Sequence, residues 1–317
     1  MPATTAPSAT HQAPDALARD ELFPIREVSR LTGINPVTLR AWERRYGLIQ
    51  PTRTESGHRL YSMHDVEAVR EILGWIERGV AVSKVGRIMA KNRAVQAQLK
   101  ASADDGQQDE YAQWRDQLKL AVNTFDEEQL ERIYGQVFSS YALPVVFQDI
   151  FLPFWKQLQQ RNAFGHTSEW LFLDAFLRSR ISQRLLLQRT GSSQLLLTAF
   201  NQQCRELELL VAALLLGHDQ LGVRVLGPGV PLEELTLVCE KLKPQALVVF
   251  SNHAPTAELP KRLKRLALTL DCPLMLAGDA ADLAQDSLAE SPVVCLGGEG
   301  RLMQQRLRQF LGGHLDT

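Results

Sequence analysis

The spacing of apolar residues changes twice along the chain and divides it into three segments. Residues 21–92 alternate short helical patterns with one turn-rich stretch, and residues 113–190 carry long amphipathic runs with few β-branched residues. Residues 191–317 carry short apolar runs separated by helical patterns. Apolar residues that repeat every three or four positions predict helices, whereas short apolar runs bounded by turns predict buried strands. We therefore expect a multidomain chain in which helical units precede an α/β unit.

Two further segments lack this periodicity. Residues 1–20 are rich in Ala, Pro, Thr and Ser and are predicted to form a disordered tail. Residues 93–112 gather Ala, Gln, Asp and Gly, which predicts a linker. The tail lacks the basic start and apolar core of a secretion signal, and no apolar run reaches the roughly 20 residues that cross a bilayer. A cytoplasmic protein without a membrane span is expected.

The second and third segments predict different architectures. About four helices are expected in a bundle over residues 113–190, one of them capped by Asp126 with Gln129 three residues on. The third segment is predicted to be an α/β flavodoxin-like unit, with a parallel sheet and helices on both faces. Its expected strands are QLLLTAF from Gln194, VRVLG from Val223, ALVVFS from Ala246, PLMLAG from Pro273 and PVVCLGG from Pro292.

The first segment has the parts of an all-α helix-turn-helix between Pro24 and Tyr46. Gly33 suits the turn because glycine adopts a left-handed backbone at little cost. Asn35 is a good N-cap, and Pro36 suits the first helical position because its missing N–H would be unpaired there in any residue. The second helix is therefore predicted to begin at Pro36.

The two sides of this second helix differ in chemistry. At about 100° per residue, Leu39, Trp42 and Tyr46 fall on one side, which predicts that this side is buried. Guanidinium groups on the opposite side can reach guanine edges and phosphates in a major groove, as a recognition helix requires. The predicted DNA contacts on this helix are Thr38, Arg40, Arg44 and Arg45.

A predicted hairpin follows, with its turn at Glu55, Ser56 and Gly57. We expect it to form a wing that touches the DNA backbone beside the groove. The predicted contacts on this wing are Arg53, His58, Arg59 and Tyr61.

Ser62 is expected to cap the next helix, with Asp65 as its acidic partner. The expected inward positions of that helix are Val66, Val69, Leu73 and Ile76.

The overall net charge of −1 conceals an asymmetry. Residues 21–93 hold 13 Lys and Arg against 8 Asp and Glu, a local charge of +5. Basic charge concentrated in one segment is typical of a unit that meets phosphate. A small basic domain with merely solvated charges is the competing interpretation, but the caps, the turn glycine, the arginine side and the hairpin occur here in one order.

This segment resembles the winged helix-turn-helix of the MerR family of bacterial transcription regulators. The matching positions are Thr38, Arg40, Trp42, Glu43 and Arg44 in the helix and Gly57, Arg59 and Tyr61 in the hairpin. Trp42 stands where most members have tyrosine. In this respect the segment is most similar to the MlrA-like branch of the family, which contains regulators of biofilm formation and cobalamin-dependent, light-responsive repressors. The resemblance implies a homodimer or higher oligomer that binds and distorts double-stranded promoter DNA in the nucleoid so that RNA polymerase can engage it.

The order of helices and then sheet resembles the cobalamin-binding module of those repressors. The resemblance implies a corrinoid between bundle and sheet, with a histidine from the loop after the first strand on the cobalt. In this chain that loop reads QQCRELE, which puts Gln203 at the glutamate, Arg205 at the histidine and Glu208 at the last glycine. An arginine has no lone pair to give a metal, so ligation by this residue is excluded.

Other positions of this module are partly preserved. The family places Glu-His after a tryptophan; from Trp155 the spacing gives Gly165 and His166, whereas the local context favours Glu169 and Trp170. Loops at the carboxyl ends of parallel strands are where a ligand would lie. The candidate ligand-binding residues are Trp155, His166, Glu169, Gln203, Arg205, Ser251, His253, Gly278, Gly297 and Gly298.

Several functions stay open for this half. In the first, it no longer binds cobalamin and acts in dimerisation, in binding a partner or in binding another ligand. In the second, it still binds a corrinoid, either base-off or through water, beside His166 or His253. A corrinoid-dependent enzyme is the remote alternative, which would need the missing histidine and have no use for a recognition helix. The cysteines, Cys204, Cys239, Cys272 and Cys295, form no C-x-x-C pair, so we expect buried thiols, no metal site and no catalytic residue.

Overall fold

The computed structural model describes residues 22–54, 57–90, 105–160, 164–188, 193–200, 204–218 and 220–312. The chain divides into two compact units, Met1–Ala94 and Val95–Thr317. The predicted tail, the turn residues Glu55 and Ser56, and the candidate ligand residue Gln203 lie outside the described residues. Within the described part, no helix is both long and apolar enough to cross a membrane.

The N-terminal unit combines short helices with a small antiparallel sheet. Its helices are α1 (Ile25–Thr32), α2 (Pro36–Ala41, continued by a π-helical turn at Trp42–Tyr46), α3 (Met63–Glu77) and α4 (82–90). Its strands are β1 (Phe23–Pro24), β2 (Thr52–Arg53) and β3 (Arg59–Tyr61), in the order β1-β3-β2.

The predicted caps of this unit are confirmed. Gly33 ends α1 with φ of 74°, and the side chain of Asn35 accepts a hydrogen bond of 2.9 Å from the N–H of Val37 at the start of α2. At α3, the side chain of Ser62 accepts from the N–H of Asp65 while the Asp65 carboxylate accepts from the N–H of Ser62. These local bonds satisfy N–H groups that a helix terminus otherwise leaves unpaired.

Two of the predicted burial patterns need correction. Tyr46 is 43% exposed, because the π-helical turn carries wider i→i+5 hydrogen bonding and rotates the residues after Trp42 off the buried side. In α3 the buried seam includes Val66 and Val69 as predicted but continues through Ile72 and Trp75. Leu73 and Ile76, predicted to point inward, are only half-buried.

The C-terminal unit begins with helices. They are α5 (Asp105–Asn123), α6 (Glu127–Ser140), α7 (Leu152–Gln159, preceded by a π-helical turn at Val145–Phe151) and α8 (His166–Leu187). Residues 105–112, predicted to belong to the linker, are helical and extend α5. The cap at Asp126 is confirmed, since its side chain accepts a hydrogen bond of 2.8 Å from the N–H of Gln129.

A five-stranded parallel sheet follows these helices. Its strands are β4 (Ser193–Ala199), β5 (Leu221–Val225), β6 (Ala246–Phe250), β7 (Leu274–Ala277) and β8 (Val293–Gly297). The helices among them are α9 (Glu206–Leu216), α10 (Leu235–Leu242), α11 (Leu259–Ala267), α12 (Asp279–Leu288) and α13 (Gly300–Leu311). The order β5-β4-β6-β7-β8 is the flavodoxin-like order, with a switch point beside β4.

The two faces of the sheet pack into different cores because alternate residues of a strand point to opposite faces. Leu195 and Leu197 of β4 join one core with α5 to α9 and α13, whereas Leu196 joins the other core with α10, α11 and α12. The first core is continuous from Leu118 of α5 to Leu307 of α13. Residues 113–190 and 191–317, predicted as separate domains, therefore share one core.

Candidate functional site

The second helix of the N-terminal unit has one buried and one exposed side. Leu39 is fully buried and Trp42 is 5% exposed, and both pack into the core of this unit. Arg40, Arg44 and Arg45 are exposed on the outer side. Thr38, which is also predicted to contact DNA from this helix, is half-buried. The apolar anchors thus hold three guanidinium groups in solvent.

Glu43 lies on this helix and binds both arginines of the adjacent hairpin. Its carboxylate accepts a hydrogen bond of 2.8 Å from Arg53 Nη2 and bonds of 2.5 and 3.2 Å from Nε and Nη2 of Arg59. The hydrogen bonds from Arg59, opposed by burial, hold the pKa of Glu43 below its usual value, and the same contact raises the pKa of Arg59. Glu43 therefore fixes the hairpin against the helix.

The structure changes the role of one residue predicted to contact DNA. Tyr61 is fully buried, so its ring has no exposed surface and we revise it to a core residue. Arg59 is 20% exposed and its guanidinium is bonded to Glu43, and its contact with DNA stays a prediction. Arg53 keeps 54% of its side chain exposed despite its bond to Glu43, and His58 is exposed.

Replacement of Glu43 by glutamine is expected to destabilise the N-terminal unit by about 1–2 kcal/mol at pH 7, because the charge-assisted bonds to two arginines are weakened. Since the folded-state pKa of Glu43 is lowered, this stabilisation is complete above the usual carboxyl value of 4.5 and is lost as the pH falls through the folded value. Hydrogen exchange of peptides from residues 22–90 along a urea series, at pH 7 and about pH 3.5, measures the difference.

The matched control for this substitution is Glu67→Gln on α3, where the carboxylate is exposed. It is expected to change the free energy of unfolding by less than about 0.5 kcal/mol. An equal loss of stability in both variants would contradict the role of Glu43 in fixing the hairpin against the helix. A loss in Glu43→Gln that is no smaller at about pH 3.5 than at pH 7 would contradict it as well.

In the C-terminal unit, Arg205 lies at the junction between the helices and the sheet. Its guanidinium carbon lies 5.1 Å from the centre of the Trp170 ring. In the amide orientation that satisfies its neighbours, the Gln159 oxygen accepts bonds of 3.2 and 2.9 Å from Nε and Nη2 of Arg205. Trp170 in turn packs against Trp155, with ring centres 5.7 Å apart. Arg205 thus binds α7 and α8 directly.

The first turn of α9 makes two more contacts across this junction. Glu206 forms a 2.7 Å ion pair with Arg178 of α8. Glu208 is nearly buried and accepts a bond of 2.9 Å from Asn252 Nδ2, while Lys156 Nζ of α7 lies 3.9 Å from the same carboxylate. Together with Arg205, these side chains tie the helices to the carboxyl edge of the sheet.

The glycines at the carboxyl edge pack against protein. Gly278 has φ of 86°, and a Cβ there would lie 2.4 Å from the carbonyl oxygen of Ser251. A Cβ on Gly298 would lie 2.9 Å from Asp279 Oδ1, and the Gly278 N–H donates to the Gly297 oxygen at 2.9 Å. These glycines therefore allow neighbouring loops to approach each other.

The remaining predicted ligand residues fall into two places. His253 donates its backbone N–H to Ser251 Oγ at 3.2 Å, in the loop after β6. At the start of α8, three buried polar atoms have no hydrogen-bond partner among the described residues, namely Nδ1 of His166, Oε2 of Glu169 and Nε1 of Trp170. An unsatisfied buried polar atom is costly, so a polar group that formed hydrogen bonds with these three atoms would be stabilising.

Comparison with known proteins places the N-terminal unit. Residues 23–92 match a family described as MerR HTH family regulatory protein. The unit is a MerR-type helix-turn-helix domain. This MerR-type domain carries the exposed arginines of α2 and the Glu43 contacts.

Relatives with the MerR-type domain are named as transcription regulators. The regulator MlrA of Escherichia coli strain K12 is 37% identical over 44% of this chain and 52% of its own length. The repressor CarH of Myxococcus xanthus is 26% identical over 83% of this chain and 90% of its own length. The chain thus spans about half the length of the MlrA relatives that it matches.

A solved structure of a monomethylamine corrinoid protein of Methanosarcina barkeri aligns with 62% of this chain and 98% of its own, at 9% identity and a TM-score of 0.45.

Proposed function

We propose that the protein is a sequence-specific transcription regulator that binds promoter DNA as a dimer through its MerR-type domain. The observation that carries this proposal is the row of exposed arginines on a helix anchored by Leu39 and Trp42. The match of residues 23–92 to a family of regulatory proteins, and the names of the relatives, support it. In this proposal the protein acts at the bacterial nucleoid.

In the proposed complex, α2 lies in the major groove. Arg40, Arg44 and Arg45 reach base edges and phosphates, where each good bidentate contact with a base is worth roughly 1–3 kcal/mol of discrimination. The hairpin of β2 and β3 acts as the wing, and Arg53 and His58 contact the DNA backbone. Glu43 sets the angle between wing and helix. Distortion of the promoter by a dimer would bring it into register for RNA polymerase.

The experiment for this function needs no known operator. Footprinting of the full-length protein on genomic fragments that it retains should protect inverted repeats, since a dimer reads two half-sites. Protection of a single unrepeated site would contradict the dimer, and uniform protection of all fragments would contradict sequence-specific binding.

For the C-terminal half, we propose an effector or oligomerisation unit that does not ligate cobalt from the loop after β4. The residues at the junction do not fit a corrinoid held from below, because Arg205 has no lone pair and is bound to Gln159. Glu208, which stands where a glycine would leave room, is bonded to Asn252. These side chains instead join the helices to the sheet within one chain, and the proposed role of the unit is to bind another effector or a second subunit.

A second candidate function is binding of a polar ligand at the start of α8, including a corrinoid without a histidine from below. The buried atoms of His166, Glu169 and Trp170, which have no hydrogen-bond partner within the described ranges, favour it. Such a ligand would be held from the side of the helices.

Adenosylcobalamin distinguishes the two candidates. Full-length protein incubated with an excess of adenosylcobalamin in the dark is expected to leave a gel-filtration column colourless, because Arg205, at the position of the cobalt-binding histidine, has no lone pair to give. The measurement is the visible absorbance of the protein peak. Retention of about one chromophore per chain would contradict the proposal, and loss of that colour in Glu169→Gln would then assign it to the start of α8.

A further inference from the structure

Two cysteines that are distant in sequence line the same cavity, on the face of the sheet that α10, α11 and α12 cover. Cys239 lies on α10 and Cys272 lies just before β7, and both line one cavity of about 290 Å³. One helical turn before Cys239, the hydroxyl of Thr236 lies 3.5 Å from that of Thr269. These contacts place α10 beside the segment that leads into β7.

The interaction with the Cys239 thiol lowers the pKa of Cys272 to about 7, although burial opposes this effect. The same interaction raises the pKa of Cys239. Asp271 also opposes the lowering of the Cys272 pKa, and the other charged groups lining the cavity are Glu240 and Lys243. A thiolate is the reactive form of cysteine, so Cys272 is the more reactive of the pair at neutral pH.

We propose that Cys239 and Cys272 form a reversible disulfide when the protein meets a peroxide. Cys272 is half-buried at the cavity, which gives a small oxidant access, whereas Cys239 is only 6% exposed on the same cavity. An accessible thiolate and a second thiol near it are the two parts that such a site requires.

The chemistry proceeds in two balanced steps. The Cys272 thiolate attacks one oxygen of hydrogen peroxide; the O–O bond breaks, and after proton uptake one water leaves and Cys272 becomes a sulfenic acid. The Cys239 sulfur then attacks the Cys272 sulfur, the S–O bond breaks, and a second water carries away the oxygen and the Cys239 proton. The thiols lose two electrons in total and the peroxide gains them.

The other cysteines are not expected to react in the same way. Burial raises the pKa of Cys204 to about 12, so it stays a thiol at neutral pH. Cys295 is half-buried on β8 and is not among the residues that line the cavity. The reaction should therefore consume two thiols and leave two.

The test uses the full-length protein and hydrogen peroxide at neutral pH. Excess free thiol is then alkylated and the protein is digested without reductant. Mass spectrometry should find one linked peptide pair joining Cys239 to Cys272, two fewer alkylated thiols per chain, and full reversal by dithiothreitol. Cys204→Ser and Cys295→Ser should form the same link at the same rate.

Single substitutions separate the pair from a general effect of oxidation. Cys239→Ala should block the link and slow alkylation of Cys272 by iodoacetamide at pH 7 several-fold, because the group that stabilises the thiolate is removed. Circular dichroism checks that the variant is folded. The proposal is overturned if peroxide yields no link between the two cysteines in wild-type protein, or if Cys272 is oxidised to sulfinic acid while Cys239 stays alkylatable.

Discussion

Arg40→Ala is expected to weaken binding to a selected genomic duplex by roughly 5- to 150-fold, since a bidentate contact with a base edge is worth about 1–3 kcal/mol. Arg40 is exposed on α2, next in sequence to the fully buried Leu39 that anchors the helix. Binding to unrelated DNA should fall much less, because non-specific affinity comes from many phosphate contacts. Fluorescence anisotropy at a fixed ionic strength near about 0.15 M measures both affinities.

The control for Arg40 is Arg308→Ala, which removes the same charge from an exposed position on α13. It should leave both affinities within about twofold of wild type, a difference of under 0.5 kcal/mol. If Arg40→Ala keeps its preference for the selected duplex while remaining folded, the outer face of α2 does not read DNA.

Trp155→Ala is expected to lower the free energy of unfolding of the C-terminal unit by about 3–5 kcal/mol. The side chain is 1% exposed, packs on Trp170 and donates a bond of 3.0 Å to Asp174. Its loss would leave a cavity and would remove one of two partners from a nearly buried carboxylate, the other being Arg178 at 2.8 Å. Urea unfolding followed by far-ultraviolet circular dichroism measures the change.

Trp155→Phe separates packing from hydrogen bonding at this position. The smaller ring fills most of the space but cannot donate to Asp174, so a loss of about 1–2 kcal/mol is expected. A loss below about 1 kcal/mol in Trp155→Ala would contradict the tight packing of α7 against α8.

The elements of the N-terminal unit could be predicted because their signals are local. The Asn35 and Ser62 caps and the turn at Gly33 each depend on residues within a few positions. The strands of the parallel sheet in the C-terminal unit were likewise predictable to within a few residues, since buried strands appear in the sequence as short apolar runs. The π-helical turn that exposes Tyr46 has no such local signature, so the period of a regular helix placed that residue wrongly.

Contacts between distant residues could not be predicted from spacing. Arg59 lies 16 residues after Glu43, on the second strand of the hairpin, and only the fold shows that they meet. The same holds for Tyr61, whose burial depends on how β3 packs. Cys239 and Cys272 are both predicted to be buried thiols, because no short motif joins them, but only Cys239 is buried and Cys272 is half-buried. A single acidic residue in an arginine-rich helix, followed by a basic hairpin, is the one signal that could have identified the contacts of Glu43 with the hairpin.

Sequencing of the genomic fragments retained by purified full-length protein, compared with those retained by the Arg40→Ala, Arg44→Ala double variant, tests the central claim most directly. We predict that wild-type protein enriches a small set of promoter fragments sharing an inverted repeat, and that the folded double variant enriches none of them. Retention of the same fragments by both proteins, or of no particular fragments by the wild type, would contradict the claim that the arginines of α2 read DNA.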